Sequence, residues 1–234
     1  ASRIYGLELE DILSPNHINF LVHESTLIEE HISGIPGDDF IENYLDDCDH
    51  QDRVEIAKEF VKFNERSFVR LLGDMRSYNY VFVLTYDFDR IKYRIRAIDF
   101  DQQSYEGNPK VYEPQYMKEN RELVEMTTAL LQQASIDQYK NEERSLLAKR
   151  AVSDRKRLRR LMNCMKETEI STPENVEELK MGLFELTGDV RFKKSTNMGE
   201  ILQSALDFVV RNYKNVNPYL VRKRKKIVDL AQKS

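Results

Sequence analysis

The feature that most constrains this chain is a paired pattern in its middle. Residues 80–85 read YVFVLT, a continuous apolar, aromatic and β-branched run. In residues 91–98, Ile91, Tyr93, Ile95 and Ala97 alternate with Lys92, Arg94 and Arg96. Successive strand residues point to opposite faces, and side chains of these types suit a pleated surface. The two runs therefore predict a β-hairpin with one wetted face, turning through YDFDR.

Around this hairpin the pattern is mostly helical. Residues 52–64 place Val54, Ala57, Phe60 and Val61 at helical spacing, with Lys58, Glu59 and Lys62 outside that stripe. Beyond Glu113, helices are expected over roughly 115–134, 137–166, 173–186 and 198–213. Thr172 before Pro173, with Glu174 and Glu177 following, forms a helix start, and Gly188 can end that helix. Ahead of the hairpin, residues 18–24 (INFLVHE) and 26–32 (TLIEEHI) read as short adjacent strands, and SGIPGDD as a loop. The expected class is α+β and helix-rich, with short N-terminal strands and a central β-hairpin.

Composition narrows the setting. Hydrophobic residues make up 41% of 234, enough for a sizeable core, while 32% charged residues suit much solvated helix surface. Cys48 and Cys164 lack metal-type spacing and are expected to be free thiols. No stretch has the length and apolarity of a membrane span, and the start lacks a basic head followed by an apolar core, so a cytoplasmic protein is expected. The net charge of −4 does not call for a nucleic-acid partner. The basic runs at residues 149–160 and 222–226 leave a protein partner on the helical second half as an expectation, ahead of a nucleic-acid one.

The residues flanking the hairpin carry chemistry. Phosphoryl transfer from ATP to a hydroxyl uses a carboxylate at the attacking oxygen, and a carboxylate with an amide oxygen to hold magnesium. Here Leu72-Gly73-Asp74 is followed by Asn79 at the mouth of the first strand, and the second strand ends in Asp99-Phe100-Asp101. Asp11/Asn16, Asp38/Asn43 and Asp207/Asn212 share the Asp-to-Asn interval, so spacing alone selects nothing. Only Asp74/Asn79 has an amphipathic helix before it, two strands after it and an Asp-Phe pair at the close.

That ordered set resembles the C-lobe of the protein-kinase-like superfamily, in its aminoglycoside- and choline-kinase-like or atypical bacterial branches. The resemblance covers about residues 26–101. It implies that Asp74 is the catalytic base and that Asn79 and Asp99 are magnesium ligands, with Asp101 assisting. It also implies that Glu30, His31 and Ile32 form a hinge pairing with adenine, so that Mg2+ and ATP are cofactors and the acceptor is a hydroxyl-bearing substrate. On this basis residues 1–33 are expected to be a remnant of the N-lobe and hinge strands, 34–214 the C-lobe, and 215–234 a basic tail. Leu72 stands where such families have His, Asp101 where they have Gly, and the hairpin loop is longer than usual. The first 33 residues contain a single glycine, Gly6, and no lysine, so the phosphate-clamping lobe is truncated, replaced or absent. The alternatives are a catalytically inactive scaffold of this fold, or a helical nucleic-acid binder.

Overall fold

The computed structural model describes residues 2–88 and 90–213. It is a helix-rich α+β structure. The chain opens with α1 (Ser2–Leu13), and a two-stranded hairpin follows, β1 (Phe20–His23) and β2 (Thr26–Glu29). Next come β3 (Ile35–Pro36), α2 (Gly37–Asn43) and α3 (His50–Arg70). The central hairpin is β4 (Tyr80–Asp87) and β5 (Arg90–Ala97), with β3 on the outer edge of β4 in an antiparallel sheet of order β3-β4-β5. The second half is α4 (Arg121–Leu130), α5 (Gln133–Ser153), α6 (Arg155–Glu167), α7 (Pro173–Thr187), α8 (Val190–Lys194) and α9 (Met198–Tyr213). Among the described residues, no helix is long and apolar enough to cross a membrane.

The hairpin forms where its alternation places it, in the register Phe82↔Ile95 and Tyr80↔Ala97. Its strands pair as far as Asp87↔Arg90, so the connection is tight rather than long. The Thr172 side chain accepts the Asn175 N–H, and Gly188 ends α7 at φ 70°, a left-handed conformation that costs glycine little.

Other elements differ from expectation. The first part of the 1–33 stretch is helix, not strand: Leu9, Ile12 and Leu13 lie at helical spacing and are buried. Within SGIPGDD, Ile35 and Pro36 pair with Phe82 and Val81, and α2 starts at Gly37. The helix read over 52–64 runs to Arg70. Of the stretch expected as one helix over 115–134, Arg121–Leu130 forms α4 and residues 133–134 already belong to α5; the start is late because the Asn120 side chain donates to both the Met75 and Pro114 carbonyls and fixes a run of short turns. The one expected over 137–166 breaks at Asp154 into α5 and α6. The basic tail, 215–234, lies outside the described residues.

Two apolar clusters build the core, and α1 and α3 contribute to both. Leu7, Ile56, Phe60 and Phe63 pack with the hairpin's Tyr80, Phe82 and Ile95. Leu9, Ile12, Val69 and Leu71 pack instead with α5, α6, α7 and α9. Buried ion pairs join the same elements. Arg70 of α3 pairs with Glu10 of α1, both side chains almost fully buried. Arg66, one turn earlier, reaches Glu143 of α5 at 3.0 Å, Glu59 at 2.9 Å and the Ile95 carbonyl of β5 at 3.2 Å. Arg150 of α5 donates to the Asp11 and Ile12 carbonyls, satisfying the C-terminal end of α1.

A buried charge without its partner is costly. Arg70→Met is expected to destabilise the fold by about 3–5 kcal/mol, while Glu10→Met/Arg70→Met recovers most of that loss. Burial pushes the Glu10 carboxyl up, but Arg70, Ser14 and Arg66 outweigh it and leave it below the ordinary carboxylate range. This stabilisation is therefore present at neutral pH and fades as acid protonates Glu10, so the Arg70→Met penalty should shrink in acid. Denaturant melts of the three proteins at neutral and acid pH check this; equal stability of the single variant and the parent would contradict it.

Candidate functional site

Asp74 follows directly from the end of α3. Leu71 caps that helix in a left-handed conformation, φ 54°, and its carbonyl accepts the Ser104 N–H at 2.8 Å. Leu72 forms a β-bridge with Gln103, and the Gln103 side chain donates to the Arg70 and Leu71 carbonyls. The segment after β5 is thus tied to the segment before β4, bringing Asp74 and Asp99 to the same end of the hairpin. Asp74 itself is left-handed, φ 57°, a conformation that Asp tolerates better than most residues, and its N–H donates to the Val111 carbonyl at 3.3 Å.

Asn79 holds this geometry. It is buried at the end of a short 3-10 turn, Ser77–Asn79. Its Nδ2 donates to the Asp74 carbonyl at 2.7 Å and approaches Asp74 Oδ2 at 3.5 Å. Its own carbonyl accepts the Ile98 N–H at 3.0 Å, extending the β4–β5 pairing by one step and setting Asp99 just beyond. Asp74, Asn79 and Asp99 are therefore joined through one short hydrogen-bonded path.

Two cations face these carboxylates. Arg76 Nε binds Asp74 Oδ1 at 2.7 Å and its Nη1 lies 3.6 Å from Glu119. Arg3, from α1, lies among three acids: it pairs with Glu29 of β2, with Asp99 at 3.0 Å and with Asp101 at 3.4 Å. Its bonds to Glu29 outweigh partial burial and raise its pKa further above the ordinary range. Gly6 seats α1 closely enough for this contact, since a Cβ there would meet the Phe100 Cβ at 2.7 Å. Asp101 is mostly exposed, and its N–H donates to Asp99 Oδ1.

The residues expected at a hinge do not converge on one feature. Glu30 is exposed and accepts from the Asn19 N–H and Nδ2, both at 2.9 Å; these two bonds hold its carboxyl below the usual range. Its own N–H donates to the Asn19 carbonyl, continuing the β1–β2 pairing. His31 is exposed and Ile32 is buried in the core beside the hairpin. Among the described residues, the His31 and Ile32 peptide groups form no hydrogen bond, so their edges are unclaimed.

Asn79 Oδ1 and Asp99 Oδ2 make no hydrogen bond among the described residues, and magnesium characteristically takes one or two such oxygens with water and phosphate completing its shell. No cluster of three or more His, Cys, Asp or Glu side chains arranged for a metal occurs among the described residues, so these two oxygens would need a phosphate-bearing ligand beside them. Sequence reasoning missed Arg3 and Arg76, and read Glu29 as part of the hinge rather than as the partner of Arg3. Arg76 lies within the motif, but Arg3 becomes visible only once residues 2–13 are known to be helical.

Arg3 already neutralises the carboxylates of Asp99 and Asp101. Arg3→Gln is expected to tighten Mn2+ binding by roughly tenfold, equivalent to about 1.4 kcal/mol, in a titration followed by the electron paramagnetic resonance signal of free Mn2+. Unchanged affinity would show that the guanidinium and the cation do not compete. No protein-family model, curated protein or solved structure matches this chain.

Proposed function

We propose that this chain carries a kinase-like phosphotransfer centre that moves a phosphoryl group from Mg-ATP to a hydroxyl acceptor. The observation that carries the reading is the Asn79 amide, which holds the Asp74 loop while the Asn79 carbonyl accepts the Ile98 N–H, directly before Asp99. An amide oxygen, a metal-ligating carboxylate and a separate carboxylate for the acceptor are what this chemistry needs from the protein.

In this reading Asp74 orients the acceptor hydroxyl and takes its proton as the oxygen attacks. Arg76 fixes the Asp74 carboxylate through Nε and has further N–H groups to offer phosphoryl oxygens. Asn79 and Asp99 would hold magnesium, which supplies charge neutralisation on the nucleotide phosphates. Asp101 helps through its N–H bond to Asp99. The unclaimed peptide edges of His31 and Ile32 offer a donor and an acceptor to an adenine ring.

A second reading, an inactive scaffold of the same kind, is favoured by one observation: Arg3 occupies the carboxylates of Asp99 and Asp101. Calorimetry with a non-hydrolysable ATP analogue separates the two. The phosphotransferase reading expects binding that requires magnesium, weakens at least tenfold in Asp99→Ala and survives in Asp74→Asn. Phosphorylation of an acceptor should then fall by about 10²–10⁴ in Asp74→Asn. Binding that appears only in Arg3→Gln would favour the scaffold; binding indifferent to magnesium and to Asp99 would sink both.

A further inference from the structure

A cleft of about 410 Å³ opens among α3, α5, α7, α8 and α9, with none of Asp74, Asn79 or Asp99 in its lining, and is within the usual size of a small-ligand site. Its floor is apolar, with Leu71, Leu183, Phe192 and Val209 all buried beneath it. Four charged residues line it as well: Glu65, Glu113, Lys140 and Arg144. Lys140 and Arg144 lie one turn apart on α5, so both reach the same side of the cleft.

Most of this charge is already used. Arg144 is paired with Glu65 at 2.5 Å and donates to the Tyr213 hydroxyl at 2.8 Å. Glu113 accepts the Gln115 Nε2 at 2.6 Å, and burial holds its carboxyl above the ordinary range. Lys140, half-buried, forms neither an ion pair within 4.0 Å nor a hydrogen bond among the described residues, and the one carboxyl its charge visibly acts on is Glu113, which burial still holds above the ordinary range. A half-buried ammonium lining a cleft with an apolar floor calls for an anion, because partial desolvation strengthens such a pair. The nearby Glu65 and Glu113 disfavour a dianion, and the floor offers nothing to a polar body.

We propose that this cleft binds a monoanionic amphiphile, an acyl carboxylate whose chain covers Phe68, Leu186 and Phe208 and whose head pairs with Lys140. The site also touches both flanks of the Asp74 loop. Leu71 is joined to Leu72-Gly73-Asp74, and Glu113 lies two residues past Val111, whose carbonyl accepts the Asp74 N–H. A ligand here would lie against residues covalently adjacent to that loop.

The probe is decanoate, titrated into the full chain below its micelle concentration by calorimetry, with amide resonances followed in parallel. Saturable one-to-one binding is expected, with shifts at Leu71 and Asp74. Lys140→Gln should weaken decanoate at least tenfold while leaving decanol, which lacks the charge, unchanged. Ala205→Phe, which fills the cleft, should abolish binding of both. Absence of saturable decanoate binding, equal decanoate affinity in parent and Lys140→Gln, or unaltered binding in Ala205→Phe would overturn the proposal. No nucleotide enters the experiment, so its result is independent of whether the Asp74 centre transfers phosphate.

Discussion

The buried guanidinium groups of α3 hold this structure together. Arg66 and Arg70 lie one turn apart on the same helix, and between them they engage α1, α5 and β5. Arginine suits this position because its planar fork donates in several directions at once, whereas a lysine supplies a single ammonium centre. The apolar clusters on either side of α3 bury area without direction. The ion pairs set which face of each helix meets α3, and they do so where misplacement would strand a charge away from water.

What α3 delivers is the loop that follows it. The helix ends at a left-handed Leu71, and Gln103 ties the Arg70 and Leu71 carbonyls to the segment after β5. Asp74 then takes a left-handed conformation that Asn79 stabilises from the next turn. Strain of this kind persists only where the surroundings over-determine it. Here a β-bridge, a backbone bond to Val111 and a buried amide all act on a few residues. The same rigidity places Asp99 within reach of α1, where Arg3 offsets the repulsion among Glu29, Asp99 and Asp101. In the proposed phosphotransfer centre that compensation and a bound metal would be alternatives, so Arg3 would set how readily the carboxylates accept a cation.

Local rules made the hairpin, α7 and α9 legible, because each carries its own pattern: strand alternation, a Thr-Pro start with a Gly stop, and an apolar helical stripe ending at Tyr213. The ordering of Asp74, Asn79 and Asp99 around the hairpin was legible for the same reason, since pairing of adjacent strands fixes which ends coincide. The rest depended on distant partners. The last two turns of α3 contain Glu65, Arg66 and Arg70, residues ordinarily solvated, and all three are buried by charges supplied from α1 and α5. The break at Asp154 has no glycine or proline to announce it, and α6 beyond it directs Arg157 onto Glu8 and Asp11 of α1. Part of the basic run therefore serves a structural contact. Arg3 and its pairing with Glu29 escaped notice because their meeting requires α1 to be a helix seated by Gly6 on Phe100.

The central claim is that Asn79 and Asp99 form one cation site beside Asp74. Its most direct measurement is a crystal structure of the chain grown with Mn2+ and a non-hydrolysable ATP analogue, using the anomalous signal of manganese to locate the ion. The account expects a manganese peak bound by Asn79 Oδ1 and an Asp99 oxygen, with Arg3 moved off Asp99 and nucleotide phosphate completing the shell. Nucleotide and manganese bound together elsewhere, with Arg3 still on Asp99, would contradict it.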